Sequence, residues 1–169
     1  MLIPASEPKF DTAQTGPHDA DGLERWMRES THELLQSLHD HSWATPAWTW
    51  WKHPRTVGAI ARHQVQEAAV HRWDAQLAIG TPEPLPDAVA ADGFDEFLEI
   101  ARQLRDPAPI TFVAIDTGRS FDLCDGSPCA TVSGTAADLV LLLHGRRTLT
   151  HADVEGDPMV VEAFLVPIG

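Results

Sequence analysis

The residues best suited to do chemistry are gathered in one stretch, Arg62-His63-Gln64-Val65-Gln66-Glu67-Ala68-Ala69-Val70-His71-Arg72-Trp73-Asp74. His63, Glu67, His71 and Asp74 follow one another at intervals of four, four and three residues. At about 100° per residue they share one narrow stripe of a helix. Positions i and i+4 are about 6 Å apart along the axis, a gap that two side chains can close onto one ion with bonds of about 2 Å. Glu67 with His71 therefore has the makeup of half a metal site. His63 stands two turns from His71, about 12 Å of rise, and is not expected to share its ion. The same spacing also serves a solvated Glu–His pair, worth a few tenths of a kcal/mol. The Ala, Val and Ile around the pair predict that Glu67 and His71 both point to the interior.

The segment that must carry these residues, Arg55 to Ile79, has no proline and ends at Gly80-Thr81-Pro82, so it is expected to be a long helix. Before it, Asp19 is an N-cap for an amphipathic helix running to about Asp40, on which Leu23, Trp26, Met27, Leu34 and Leu38 step at helical spacing. Between the two lies a connection with four indoles, Trp43, Trp48, Trp50 and Trp51, expected to be pinned onto the core. Residues 1–18 read as an irregular arm.

After the proline-rich link Pro82 to Pro86, a helix is expected from Asp87 to about Leu104, and Arg105-Asp106-Pro107-Ala108-Pro109 breaks it. Beyond that point the period changes. Strands are predicted over Ile110–Thr117, Ser120–Cys124 and Cys129–Ser133, a helix from Thr135 to Gly145, and a short helix Met159–Leu165 behind Asp157-Pro158. The sequence thus divides into a helical part, 19–105, and a mixed part, 110–169.

Composition sets the outer limits. The chain has 169 residues with 12 Lys+Arg against 25 Asp+Glu, a formal charge of −13, and is 43% hydrophobic. An acidic surface without a basic patch repels phosphate backbones, which argues against nucleic acid as a partner. Apolar runs such as Leu139 to Leu143 fall far below the roughly 20 residues of a membrane span. A soluble cytoplasmic protein with no membrane partner is expected. The two cysteines, Cys124 and Cys129, are too few for a disulfide framework and are expected to be buried thiols.

Several strings in one order carry a resemblance. Trp48-Thr49-Trp50, Glu67-Ala68-Ala69-Val70-His71-Arg72-Trp73-Asp74-Ala75, Ala90-Ala91-Asp92-Gly93-Phe94-Asp95-Glu96-Phe97-Leu98 and Gly134-Thr135-Ala136-Ala137-Asp138 through to Leu143-His144-Gly145-Arg146 together resemble the maleylpyruvate isomerase family of mycothiol-dependent enzymes. The resemblance runs from about Leu23 to the C-terminus. It implies an α+β fold: a partial DinB-like helical bundle over 19–105, then a small sterol-carrier-like α/β domain over 110–169.

By the same resemblance the bundle holds a divalent metal, usually zinc, on a His from an early helix and on a later Glu and His that fall on Glu67 and His71. Mycothiol is the implied thiol and a small electrophilic molecule the implied substrate. Zinc lowers the thiol pKa so that the nucleophile exists at neutral pH. Arg146 is the implied catalytic residue of the second domain, facing substrate carboxylates. Family members begin with two further helices, the second carrying the first metal His, and nothing before Asp19 reads as that helix. Either the third ligand then comes from His18, His32 or His39, or from a symmetry-related chain, or the metal site has lapsed. A metal-assisted isomerase or transferase, a noncatalytic relic or binding module, and a homodimer that completes the site between chains are the readings in competition. For a dimer, Trp26, Met27, Leu34 and Trp73 are the expected interface residues.

Overall fold

The computed structural model describes residues 16–165, so the expected arm 1–18 lies outside the described residues except for its last three positions. The chain forms two compact units, Met1–Arg62 and His63–Gly169. The division falls inside a helix.

In the first unit, α1 spans Ala20–His39, and the Asp19 side chain caps it by accepting from the Gly22 N–H at 2.8 Å. This is the N-terminus read from the sequence. The connection to α2 (Val57–Ala78) is closed by Pro46 bridging to Thr56 and by the Val57 N–H donating to the Thr45 carbonyl at 2.9 Å. Only one of the four indoles there is buried: Trp51, whose Nε1 donates to the Pro54 carbonyl at 2.8 Å. Trp43 and Trp50 are exposed and Trp48 is half-buried. The loop is held by main-chain hydrogen bonds and one buried indole, against which Trp50 packs edge-on with centroids 5.4 Å apart.

The second unit is α+β. It holds the rest of α2, then α3 (Asp87–Leu104), β1 (Ile110–Ala114), β2 (Arg119–Asp122), β3 (Ala130–Gly134), α4 (Ala136–Leu143), a 3-10 turn at Leu149–His151, β4 (Asp153–Gly156) and α5 (Pro158–Leu165). The sheet order is β2-β1-β3-β4. β1 and β3 run parallel at the centre, with Phe112 beside Val132, and each is flanked by an antiparallel strand. Period-two patterning decides which face is inside: Ile110, Phe112 and Ala114 of β1 and Ala130 and Val132 of β3 are buried. Against them stand Phe94, Leu98 and Ala101, one stripe of α3, with Leu139 and Leu142 of α4 and Val161 and Phe164 of α5.

This single core continues across Arg105–Pro109, so the helix α3 and the sheet that follows it belong to one unit. β4, four residues with only Val154 half-buried, was not among the predicted strands. Gly156 closes it at φ +93, where a Cβ would run into the Cys129 carbonyl oxygen. The cysteines differ from expectation: Cys129 is exposed and Cys124 half-buried, because both sit in the turn region between β2 and β3. Among the described residues no helix is long and apolar enough to cross a membrane.

Candidate functional site

Glu67 lies at the centre of three imidazoles. His63 and His71, one turn to either side on α2, place Nε2 at 3.8 Å from Oε1 and 3.3 Å from Oε2 respectively. The third is His144, with Nε2 3.8 Å from Oε1. The i±4 stripe read from the sequence is therefore real, and Glu67 and His71 are side by side. Their direction is a correction. The His71 side chain is 62% exposed and that of Glu67 34%, so the imidazole faces solvent and only the carboxylate is partly inside. The Ala and Val residues around them also occupy mixed ground, for Val70 is buried while Ala68 and Val65 are exposed.

His144 arrives from a well-defined helix end. It is the C-cap of α4, Gly145 follows at φ +73, the Gly145 N–H donates to the Leu142 carbonyl and the Arg146 N–H to the Leu141 carbonyl. That pair of bonds is a Schellman motif, which requires the left-handed residue that glycine supplies. The ring is fixed by Nδ1 donating to the Val140 carbonyl at 2.9 Å and by packing on Phe97, centroid to centroid 4.8 Å. Gln66, almost wholly buried, brings its amide nitrogen to 3.5 Å from His144 Nε2. A second carboxylate, Glu96 of α3, is buried with its Oε1 3.6 Å from His63 Nδ1. Gly93 allows this approach of α3 to α2, since a Cβ there would lie 3.2 Å from Gln66 Cγ.

At the solvent end, His71 Nδ1 is 3.2 Å from Asp74 Oδ2. Arg146 grips the same carboxylate with two parallel bonds, Nε to Oδ1 at 3.2 Å and Nη2 to Oδ2 at 2.9 Å, and its Nη1 donates to the His144 carbonyl at 2.7 Å. Interaction with the His144 ring is the main cause holding the Glu67 carboxyl below its ordinary range, against burial, with electrostatic help from His63, His144 and His71. Arg146 does the same for Asp74, and Asp74 raises Arg146 in return. Both carboxylates are ionised at neutral pH.

Glu67, His71 and Arg146, the residues singled out in the sequence, are thus within one cluster. Gln66, Glu96 and His144 were not singled out. His144 sits inside the string Leu143-His144-Gly145-Arg146, so the helix-stop glycine marked its position, while nothing local marks Glu96 as buried. Among the described residues no group of three His, Cys, Asp or Glu side chains stands ready to hold a metal ion.

The model of the MDMPI C-terminal domain matches residues 17–163. The chain belongs to this family. For a member of the MDMPI C-terminal domain family the matched range takes in α1 and α2 as well as the sheet. The fold is similar to two crystal structures, the mycothiol-dependent maleylpyruvate isomerase and a histidine-to-alanine mutant of it, each at TM-score 0.63 and 14% identity. The alignment covers 81% of this chain and 58% of those chains, so the protein spans a little over half the length of the solved relatives. No curated protein matches.

Proposed function

We propose that the protein is a mycothiol-dependent, metal-assisted enzyme of isomerase or transferase type, acting on a small electrophilic substrate, with Glu67 and His71 as two ligands of a divalent cation, zinc first among them. One observation carries this reading. Glu67 Oε2 and His71 Nε2 are 3.3 Å apart, and two donors on a tetrahedral ion with bonds of about 2.0–2.1 Å are themselves separated by about 3.3 Å. A carboxylate oxygen and an imidazole nitrogen suit zinc and its neighbours. Bound there, the metal would supply a lowered thiol pKa, so that a thiolate exists at neutral pH.

The chain's own residues set the conditions. Glu67 is kept charged by the imidazoles around it. Arg146 has five N–H groups, of which three are engaged with Asp74 and the His144 carbonyl. The remaining two can meet an anionic substrate group, the catalytic role implied for it by the resemblance. The helical part 19–105 corresponds, in this reading, to the DinB-like bundle, and 110–169 to the sterol-carrier-like domain.

The third ligand comes from outside the described set, and a homodimer supplies it most simply. Support comes from α1, where Leu23, Trp26, Met27 and Leu35 are exposed. Trp73 is not available for that interface, being buried in the second unit's core. The place of action is the cytoplasm.

Metal analysis of untagged protein purified without chelator tests the reading. Stoichiometric zinc is expected, lost in Glu67→Ala and His71→Ala, with mycothiol binding by calorimetry dependent on it. Protein that neither carries nor takes up zinc would leave the noncatalytic binding module.

A further inference from the structure

The two ring nitrogens of His71 face two carboxylates: Nδ1 is hydrogen-bonded to Asp74 Oδ2 at 3.2 Å, and Nε2 lies 3.3 Å from Glu67 Oε2. An ionised carboxylate only accepts, and a neutral imidazole has one N–H to give. The two contacts therefore compete for one proton, and the loser meets a lone pair. Asp74 is the better fixed of the two. Arg146 holds both of its oxygens, and Arg146 is itself anchored on the His144 carbonyl beyond the Schellman turn. Bidentate guanidinium–carboxylate pairing is geometrically specific, so the oxygen offered to His71 Nδ1 has a set direction.

We propose that Asp74 is a positioning residue: clamped by Arg146, it takes the Nδ1–H of His71 and so presents the Nε2 lone pair to the space shared with Glu67. That tautomer is the one a metal-binding Nε2 needs, and carboxylates that orient ligating imidazoles in this way tune metal affinity. Arg146 then acts on His71 through Asp74, whatever its remaining N–H groups do. The metal part of this inference rests on the proposed function, while the tautomer does not.

The two parts are tested separately. Heteronuclear NMR of the ring nitrogens, on metal-free protein at a pH where the imidazole is neutral, reads which nitrogen of His71 carries hydrogen. The wild type is expected to show Nδ1–H. Asp74→Ala is expected to move the population toward Nε2–H, the tautomer an unconstrained imidazole favours, and Arg146→Ala to move it part of the way, with Arg146→Lys falling between. Wild-type His71 protonated on Nε2, or a population unchanged in Asp74→Ala, overturns the proposal. In zinc competition titrations Asp74→Ala is expected to bind roughly 10–100-fold more weakly than wild type. Equal zinc affinity in wild type and Asp74→Ala overturns the metal part, the tautomer being decided by the NMR result. Wild type that binds no zinc instead overturns the metal reading of Glu67 and His71, and the NMR result decides the role of Asp74.

Discussion

Removing the Asp116 side chain should loosen the start of α4 and, with it, the helix that delivers His144 and Arg146. α4 has eight residues, six of them buried, and Ala136 at its start is among them, so its first N–H groups need partners. Two side chains meet them. Asp116, in the turn after β1, accepts from the Ala136 N–H at 2.9 Å, and Thr135 accepts from the Asp138 N–H at 3.1 Å. Ala136 is 1% exposed, so Asp116→Ala strands a buried donor and loses a bond to a charged acceptor, about 2 kcal/mol. Asp116→Asn keeps an acceptor oxygen and loses only the charge at the helix N-terminus, about 0.3–1 kcal/mol. Thr135→Ala should cost about 1 kcal/mol. The double variant Asp116→Ala/Thr135→Ala should cost less than the sum, because both act on one turn. For a chain of this length Asp116→Ala should lower the thermal midpoint by roughly 4–8 °C. Circular dichroism on heating, with urea unfolding followed by Trp fluorescence, measures the series. Equal costs for Asp116→Ala and Asp116→Asn, or a cost below about 0.5 kcal/mol for Asp116→Ala, would refute the assignment.

Phe94→Ala, at a fully buried position of α3, should destabilise by about 3–5 kcal/mol in denaturant titrations. Arg146 holds the Asp74 carboxyl below its ordinary range. The stability this contributes is present above that range and lost as pH falls through the lowered value. Arg146→Ala should therefore lower stability near neutrality, leave it unchanged below the lowered value, and so flatten the acid limb of the stability–pH curve between them. Light scattering should find twice 18.5 kDa for the wild type, and Met27→Glu with Trp26→Ser, which charge and trim the exposed face of α1, should return it to a single chain.

What the sequence made legible follows from where its signals are local. α3 matches its predicted bounds because proline punctuates both ends, and α1 begins where Asp19 caps it. β4 has only four residues and one apolar side chain partly inside, too little for a period to register; its existence depends on pairing with β3. The Glu67–His71 pair was readable because i and i+4 are neighbours on any helix. Its partners were not. Glu96 looks like a solvated helix position until α3 packs beside α2, and His144 reaches Gln66 across 78 residues of chain. The exposure of His71 was likewise hidden, since one-turn spacing says which residues share a face and not what that face meets.

The sheet's two outer strands limit how copies of the protein can join. β2 and β4 are both short, and each sets charged residues along an open margin: Arg119 and Asp122 on one, Asp153 and Glu155 on the other, all exposed. Arg119 is further drawn aside onto Asp95 and the Ala91 carbonyl of α3. A strand from a neighbouring molecule approaching β4 would bring acid against acid on a chain that already carries −13. Edge-to-edge growth into fibres is therefore discouraged at both margins, and crowding this protein should give discrete complexes built on helices before it gives extended β aggregates.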